Sequence, residues 1–301
     1  MAIKPYLQLV RLPNVFTAAA DSLAGWLLVG GSLDEPGRWL PLVAASMAIY
    51  AAGIALNDVF DSEIDRRERP DRPLPSGRVS RRFAARLGGL LLALGPSLAA
   101  LSGWWESLAV ASVLAGCALA YDAGLKRTVL GPEVMGACRG LNFLLGMSQS
   151  ARFGGPSGWL VAGSLALFAT GVTWMSRSEA ESGRRAGVIG GVILQSLAIL
   201  GLWSTARHPS GFPAPSLVQP YVSSGGLIVL LAVLIVVNRA AGQAIRRPVP
   251  ERLQTAVRTG VLSLVWLDVG VVAAVRGPGP ALAVALLWVP AFLLGRWIDS
   301  T

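Results

Sequence analysis

Asn57-Asp58-Val59-Phe60-Asp61-Ser62-Glu63-Ile64-Asp65 follows directly on an apolar run covering residues 39–57. On a helix turning ~100° per residue, Asn57, Asp58, Asp61 and Asp65 fall within an arc of about 100°, while Glu63 points to the opposite side. One face therefore presents three carboxylates and an amide. Like charges at that spacing repel unless a cation or a counter-charge sits between them. Hard oxygen donors suit Mg²⁺, which takes one or two carboxylates together with substrate phosphates and water. The arginines that follow, Arg66, Arg67, Arg69, Arg72 and Arg78, match phosphate oxygens in bidentate fashion.

Working outward, the chain has 301 residues, 53% hydrophobic and 14% charged, with a mean hydropathy of +0.57. An average soluble domain carries about 25% charged residues. The 35 Gly and 19 Pro punctuate long runs of Leu, Ala and Val, which disordered chains lack. The fold class is all-α and polytopic, a transmembrane helix bundle of nine to ten spans in a single domain over residues 1–301. Candidate spans are 13–31, 39–57, 83–102, 106–122, 133–150, 158–175, 187–204, 219–238, 256–275 and 280–298, each near the ~20 residues a bilayer needs. The first apolar run reads as an uncleaved helix rather than a secretory signal.

With the N-terminus cytoplasmic, twenty-one of the 26 Lys and Arg fall on the cytoplasmic side, as the positive-inside rule requires. That places the chain in the cytoplasmic (inner) membrane with its acidic stretch facing the cytoplasm. The formal charge of +9 thus reports topology, and no nucleic-acid partner is expected. Cys117 and Cys138 lie inside apolar segments and His208 is the only histidine, so transition-metal and histidine-based chemistry have no material. Any metal must be held by oxygen.

Asn57-Asp58-x-x-Asp61-x-x-x-Asp65, followed by Arg72-Pro-Leu-Pro-Ser-Gly77, resembles the first signature of the UbiA superfamily of intramembrane prenyltransferases. Arg11-Leu-Pro-Asn14 before the first span, and Tyr121 through Lys126-Arg127 after the fourth, are similar to that family too. Tyr121-Asp-Ala-Gly-Leu-Lys-Arg127, Gly131-Pro132 and Cys138-Arg-Gly-Leu-Asn142 resemble its EboC-type branch. The resemblance implies transfer of a polyprenyl group from a Mg²⁺-bound prenyl diphosphate to a lipophilic, aromatic acceptor. It implies metal-binding and catalytic roles for Asp58, Asp61 and Asp65, and substrate-binding roles for Asn57, Arg72, Tyr121, Lys126 and Arg127. Arg139 and Asn142, three apart on one helix, point the same way into the cavity, and Asn14 is a further polar wall. Asp21, seven residues on in the first span, reads as satisfying a neighbouring helix.

The family's second acidic signature, at the end of the sixth span, is reduced here to Ser176-Arg177-Ser178-Glu179-Ala180-Glu181-Ser182-Gly183. Two acids two residues apart sit about 200° around a helix and share no face. Sliding residues 53–67 onto 171–185 sets Asp61 opposite Glu179, which makes Glu179 the surviving candidate of that half. A weakened second motif leaves open a non-catalytic relative that binds an isoprenoid diphosphate. An ion-coupled transporter using Asp21, Arg139, Gln195 and Asp268 is the remaining rival.

Overall fold

The computed structural model describes residues 3–180, 185–209, 212 and 219–298, and at 152, 178–180 and 219–223 its description is confined to the backbone. Among the described residues there is no strand. The helices are α1 (Lys4–Leu9), α2 (Leu12–Leu28), α3 (Pro36–Phe60), α4 (Ser62–Glu68), α5 (Arg81–Ala100), α6 (Trp105–Ala123), α7 (Gly131–Met147), α8 (Gly155–Ala180), α9 (Arg185–Arg207), α10 (Gln219–Arg246), α11 (Pro250–Arg276), α12 (Pro278–Leu286) and α13 (Trp288–Trp297). Single 3₁₀ turns occupy Leu125–Arg127 and Ala151–Gly154.

Eight stretches among the described residues are long and apolar enough to cross a bilayer: α3, α5, α6, α8, α9, α10, α11 and the α12–α13 pair. The other two expected spans are α2 and α7, each 17 residues, at the short limit for crossing. These two are the most enclosed. Helix α2 packs against α3, α7, α11, α12 and α13, and its buried face includes Thr17, Asp21 and Ser22 as well as apolar residues. A helix surrounded by protein on all sides can carry polar groups that lipid would reject. The outer helices instead turn Leu90, Trp105, Val113, Ile228, Ile235 and Leu282 outward, where hydrocarbon is the favourable neighbour.

Close approach at the centre depends on glycine. Gly146 of α7 rests on the Ser22 backbone and Gly25 of α2 rests on the Phe143 carbonyl, leaving no space for a Cβ at either position. We predict that Gly146→Leu destabilises the bundle by at least ~3 kcal/mol, because the obstruction is backbone and cannot rotate away. Gly163→Leu, at a site with nothing within 4 Å, leaves stability unchanged. Thermal unfolding of both variants in detergent, followed by size-exclusion profile, checks the contrast.

Two expected boundaries shift. The expected spans 219–238 and 256–275 leave residues 239–255 between them, but α10 runs on to Arg246 and α11 begins at Pro250, so the connection shrinks to residues 247–249. Pro250 opens α11 because a first-turn proline gives up an N–H that has no helical partner. The last expected span, 280–298, is divided at Leu287 into α12 and α13. Pro290 accounts for the break, since its ring excludes the bond to the carbonyl four residues earlier.

Candidate functional site

The acidic stretch straddles a junction, with α3 ending at Phe60 and α4 starting at Ser62. Helical hydrogen bonding nevertheless continues through it: Asp61 N–H donates to the Asn57 carbonyl at 2.9 Å and Asp65 N–H to the Asp61 carbonyl at 2.9 Å. Asn57, Asp61 and Asp65 are therefore stacked turn by turn. The Arg72–Gly77 loop folds back beside them, Ser76 N–H donating to the Arg72 carbonyl at 3.0 Å and Val79 N–H to the Pro73 carbonyl at 3.0 Å. Gly77, at φ +74°, supplies the left-handed residue this reversal requires.

Each acid has a basic partner. Arg72 Nη1 lies 2.8 Å from Asp65 Oδ2 and 3.6 Å from Asp58 Oδ1. Arg11 Nη2 also lies 3.6 Å from Asp58 Oδ1, bringing the chain just before α2 against the end of α3. Arg11 itself holds φ +45°, ψ +54°, a conformation that costs a non-glycine residue about 1–3 kcal/mol. The strain falls at the residue whose side chain faces Asp58.

On the other flank, the 3₁₀ turn Leu125–Arg127 sets Lys126 Nζ 2.7 Å from Asp61 Oδ2 and Arg127 Nη2 3.3 Å from Asp61 Oδ1. The motif residues thus assemble from distant parts of the chain. Asp122 completes this flank and was not singled out from the sequence: it is buried, accepts from Asn57 Nδ2 at 2.9 Å and lies 4.0 Å from Lys126 Nζ. Its signal was the four-residue spacing to Lys126, which puts a carboxylate and an ammonium on one helical face. Arg177 near the end of α8 donates to the Lys126 carbonyl. That contact brings the sixth long segment to the same end of the bundle as the acids. Half-buried Tyr121 lies within electrostatic reach of both Arg177 and Asp61.

A cavity of about 430 Å³ opens beside Asp58, lined by Arg11, Arg69, Arg72 and Arg78 against Asp58, Glu68 and Asp71. Its cationic wall suits a polyanion, and its acids suit a hard cation. Among the described residues no three His, Cys, Asp or Glu side chains converge closely enough to enclose a metal by themselves. Asp58, Asp61 and Asp65 therefore do not form a preformed three-carboxylate cage, because Arg72 draws Asp58 and Asp65 to one side and Lys126 draws Asp61 to the other. The donor set still fits Mg²⁺. Its ligands are oxygen, Asp58 Oδ1 is buried without a hydrogen bond, and Mg²⁺ ordinarily completes its shell with phosphate and water.

Arg139 and Asn142, expected at the substrate, are instead engaged within the bundle. Arg139 Nη2 sits 2.6 Å from Asp21 Oδ1 and donates to the Thr17 carbonyl at 3.2 Å. Asn142 Nδ2 reaches Asp21 Oδ2 and the Ala18 carbonyl, each at 2.9 Å. A guanidinium buried to 9% exposure requires a carboxylate close by, and Asp21 is that partner. Asp21 thus satisfies a neighbouring helix as expected. Asn14 is half-buried in the first turn of α2, its carbonyl accepting from Thr17 Oγ1 at 2.8 Å. Phe143 is fully buried core. The Glu179 side chain and all of Glu181 lie outside the described residues.

Solved structures share this architecture. A UbiA homolog from Aeropyrum pernix K1 superposes with a TM-score of 0.68 at 18% identity, covering 85% of this chain and 96% of that one. A UbiA homolog from Archaeoglobus fulgidus, bound to DMAPP and Mg²⁺, gives 0.57 at 14% identity over 85% of this chain and 97% of that one. At these identities the likeness is one of fold. Among sequences, the digeranylgeranylglyceryl phosphate synthase of Metallosphaera sedula is 36% identical over 145 residues, 48% of this chain and 51% of the relative. That of Methanopyrus kandleri is 37% identical over 163 residues, 52% and 57% respectively. The chain thus spans about half the length of these relatives. The profile of the UbiA prenyltransferase family matches residues 18–259, which takes in the acidic stretch, the Lys126 turn and α8. The chain belongs to the UbiA prenyltransferase family.

Proposed function

We propose that the chain is a membrane prenyltransferase that moves a polyprenyl group from a prenyl diphosphate to a lipophilic acceptor at the Asp58 end of the bundle. The observation that carries this reading is the juxtaposition of Asp58 and Asp61 with Arg11, Arg72, Lys126 and Arg127. Acids alternate there with cations that can exchange a carboxylate for a phosphate oxygen. The diphosphate head occupies this end, and the apolar tail lies among the helices, away from water.

Asp58, Asp61 and Asp65 are the residues that would hold Mg²⁺, with Asn57 beside them toward the diphosphate. When bound, the ion neutralises charge on the diphosphate and so eases departure of the allylic leaving group. Arg72, Lys126 and Arg127 release their carboxylates to grip phosphate oxygens and stabilise the negative charge that develops as the C–O bond lengthens. Arg11 and Asp122 hold the ends of α3 and α6 in register for this exchange. The enclosing bundle excludes water, so the carbocation meets the acceptor first. The active end faces the cytoplasm, in keeping with the distribution of basic residues.

The relatives named above are described as digeranylgeranylglyceryl phosphate synthases, which sets a glycerolipid beside an aromatic lipid as the acceptor class to test. The acceptor is tested directly. Purified protein in lipid nanodiscs is given labelled geranylgeranyl diphosphate, Mg²⁺ and either glycerolipid or aromatic lipid extract. Label appearing in a lipid product with equimolar diphosphate supports transfer, and its extract of origin gives the acceptor class. Binding without diphosphate release overturns transfer and favours a non-catalytic binder.

A further inference from the structure

A second group of charges lies within the bundle, on residues other than those that build the diphosphate site. Asp21 of α2 and Asp268 of α11 are both fully buried, at 0% exposure. They lie on α2 and α11, which pack together, and each carboxyl acts on the other. Among the described residues Arg139 of α7 is the cation that acts on the pair, and it is seated on Asp21. Asn142 donates to Asp21 Oδ2. Neither oxygen of Asp268 receives a hydrogen bond from any N–H or O–H donor among the described residues, although both are enclosed.

The groups facing the pair are few. From α2 comes Asp21 itself, from α7 come Arg139 and Asn142, and from α3 comes Tyr50, on which Arg139, Arg11 and Asp21 act. No ionisable side chain of α8, α9, α10 or α12 acts on Asp268 among the described residues. Two carboxylates and one guanidinium leave a net negative charge in a medium where an uncompensated buried ion is strongly unfavourable. A carboxylate cannot donate to another carboxylate, so the facing geometry has no hydrogen bond unless a proton supplies it. With one proton on the pair, the group becomes neutral overall. The Asp21–Asp268 contact then becomes an O–H···O⁻ bond, among the stronger kinds.

We propose that Asp21 and Asp268 form an intramembrane proton-binding site that holds one shared proton, with Arg139 balancing the remaining charge. The site fastens α2, the central helix, to α11. Asp268 lies beyond residue 259, where the match to the family profile ends, while Asp21, Arg139 and Asn142 lie within it. It stands independently of whether the diphosphate end turns over.

Infrared spectroscopy of the full-length protein in nanodiscs at neutral pH, in H₂O and D₂O, reads the shared proton as the C=O band of a protonated carboxyl that shifts on exchange. The wild type is expected to show this band, and Asp268→Asn and Asp21→Asn each to lose it. Asp61→Asn is expected to retain it. Asn at either position keeps the hydrogen bond through its amide, which favours a folded variant. Absence of the band from the wild type, or its persistence in both dyad variants, overturns the proposal. Should one variant fail to fold, the wild-type band and the other variant still decide it.

Discussion

Asp61→Asn is expected to lower Mg²⁺-dependent prenyl transfer by about 10²-fold or more, the scale of losing a group that stabilises transition-state charge. The effect is chemical rather than structural. Asp61 is about one-fifth exposed, and its partners Lys126 and Arg127 approach from a surface turn. Lys126 is 11% exposed and keeps an acceptor in the side-chain carbonyl of the Asn variant, so the variant folds. Asn keeps the shape but gives a neutral ligand, and it no longer opposes Lys126. Steady-state transfer with labelled prenyl diphosphate across a Mg²⁺ titration checks this, alongside a melting curve to confirm folding. Full activity in the variant would remove Asp61 from the metal site.

The second large effect lies in the bundle interior. Asp21→Leu leaves Arg139 without its 2.6 Å partner, and removing one member of a buried pair costs about 3–5 kcal/mol. Removing both is different. Asp21→Leu with Arg139→Met deletes the orphaned cation as well and leaves Asp268 as a neutral, protonated carboxyl, so the double variant is expected to regain part of the lost stability, with a non-additivity of at least ~2 kcal/mol. Unfolding of wild type, both single variants and the double variant gives the coupling directly. Additive losses would mean that the pair does not act as a unit.

Arg139 and Asn142 mark the limit of what spacing along the chain discloses. Asn57 to Asp65 was legible because its chemistry is local: a helical period places the residues on one face whatever surrounds them, and the backbone ladder through Asp61 preserves that face. The Lys126 turn was legible through the motif it resembles. Arg139 and Asn142 were read as facing the substrate because their three-residue spacing fixes a shared direction but not what lies there. Only packing of α7 on α2, set by Gly146 and Gly25, turns that face onto Asp21.

Asp122 was passed over for a related reason. Its burial and its bond to Asn57 depend on α6 standing beside α3, which spacing alone does not disclose. The division of the acids between Arg72 and Lys126 depends on how the Arg72–Gly77 loop and the Lys126 turn pack against the end of α3, which spacing alone does not disclose either. By contrast, the helix limits shifted for reasons already present in the chain. Pro250 begins a helix and Pro290 interrupts one, as proline does in any sequence.

The most direct measurement is calorimetric titration of geranylgeranyl diphosphate into the purified protein, with and without Mg²⁺ and with no acceptor present. The account predicts saturable binding that strengthens at least tenfold with Mg²⁺, a gain that Asp58→Asn and Asp61→Asn each abolish. Binding indifferent to Mg²⁺, or a Mg²⁺ effect that survives both substitutions, would contradict it.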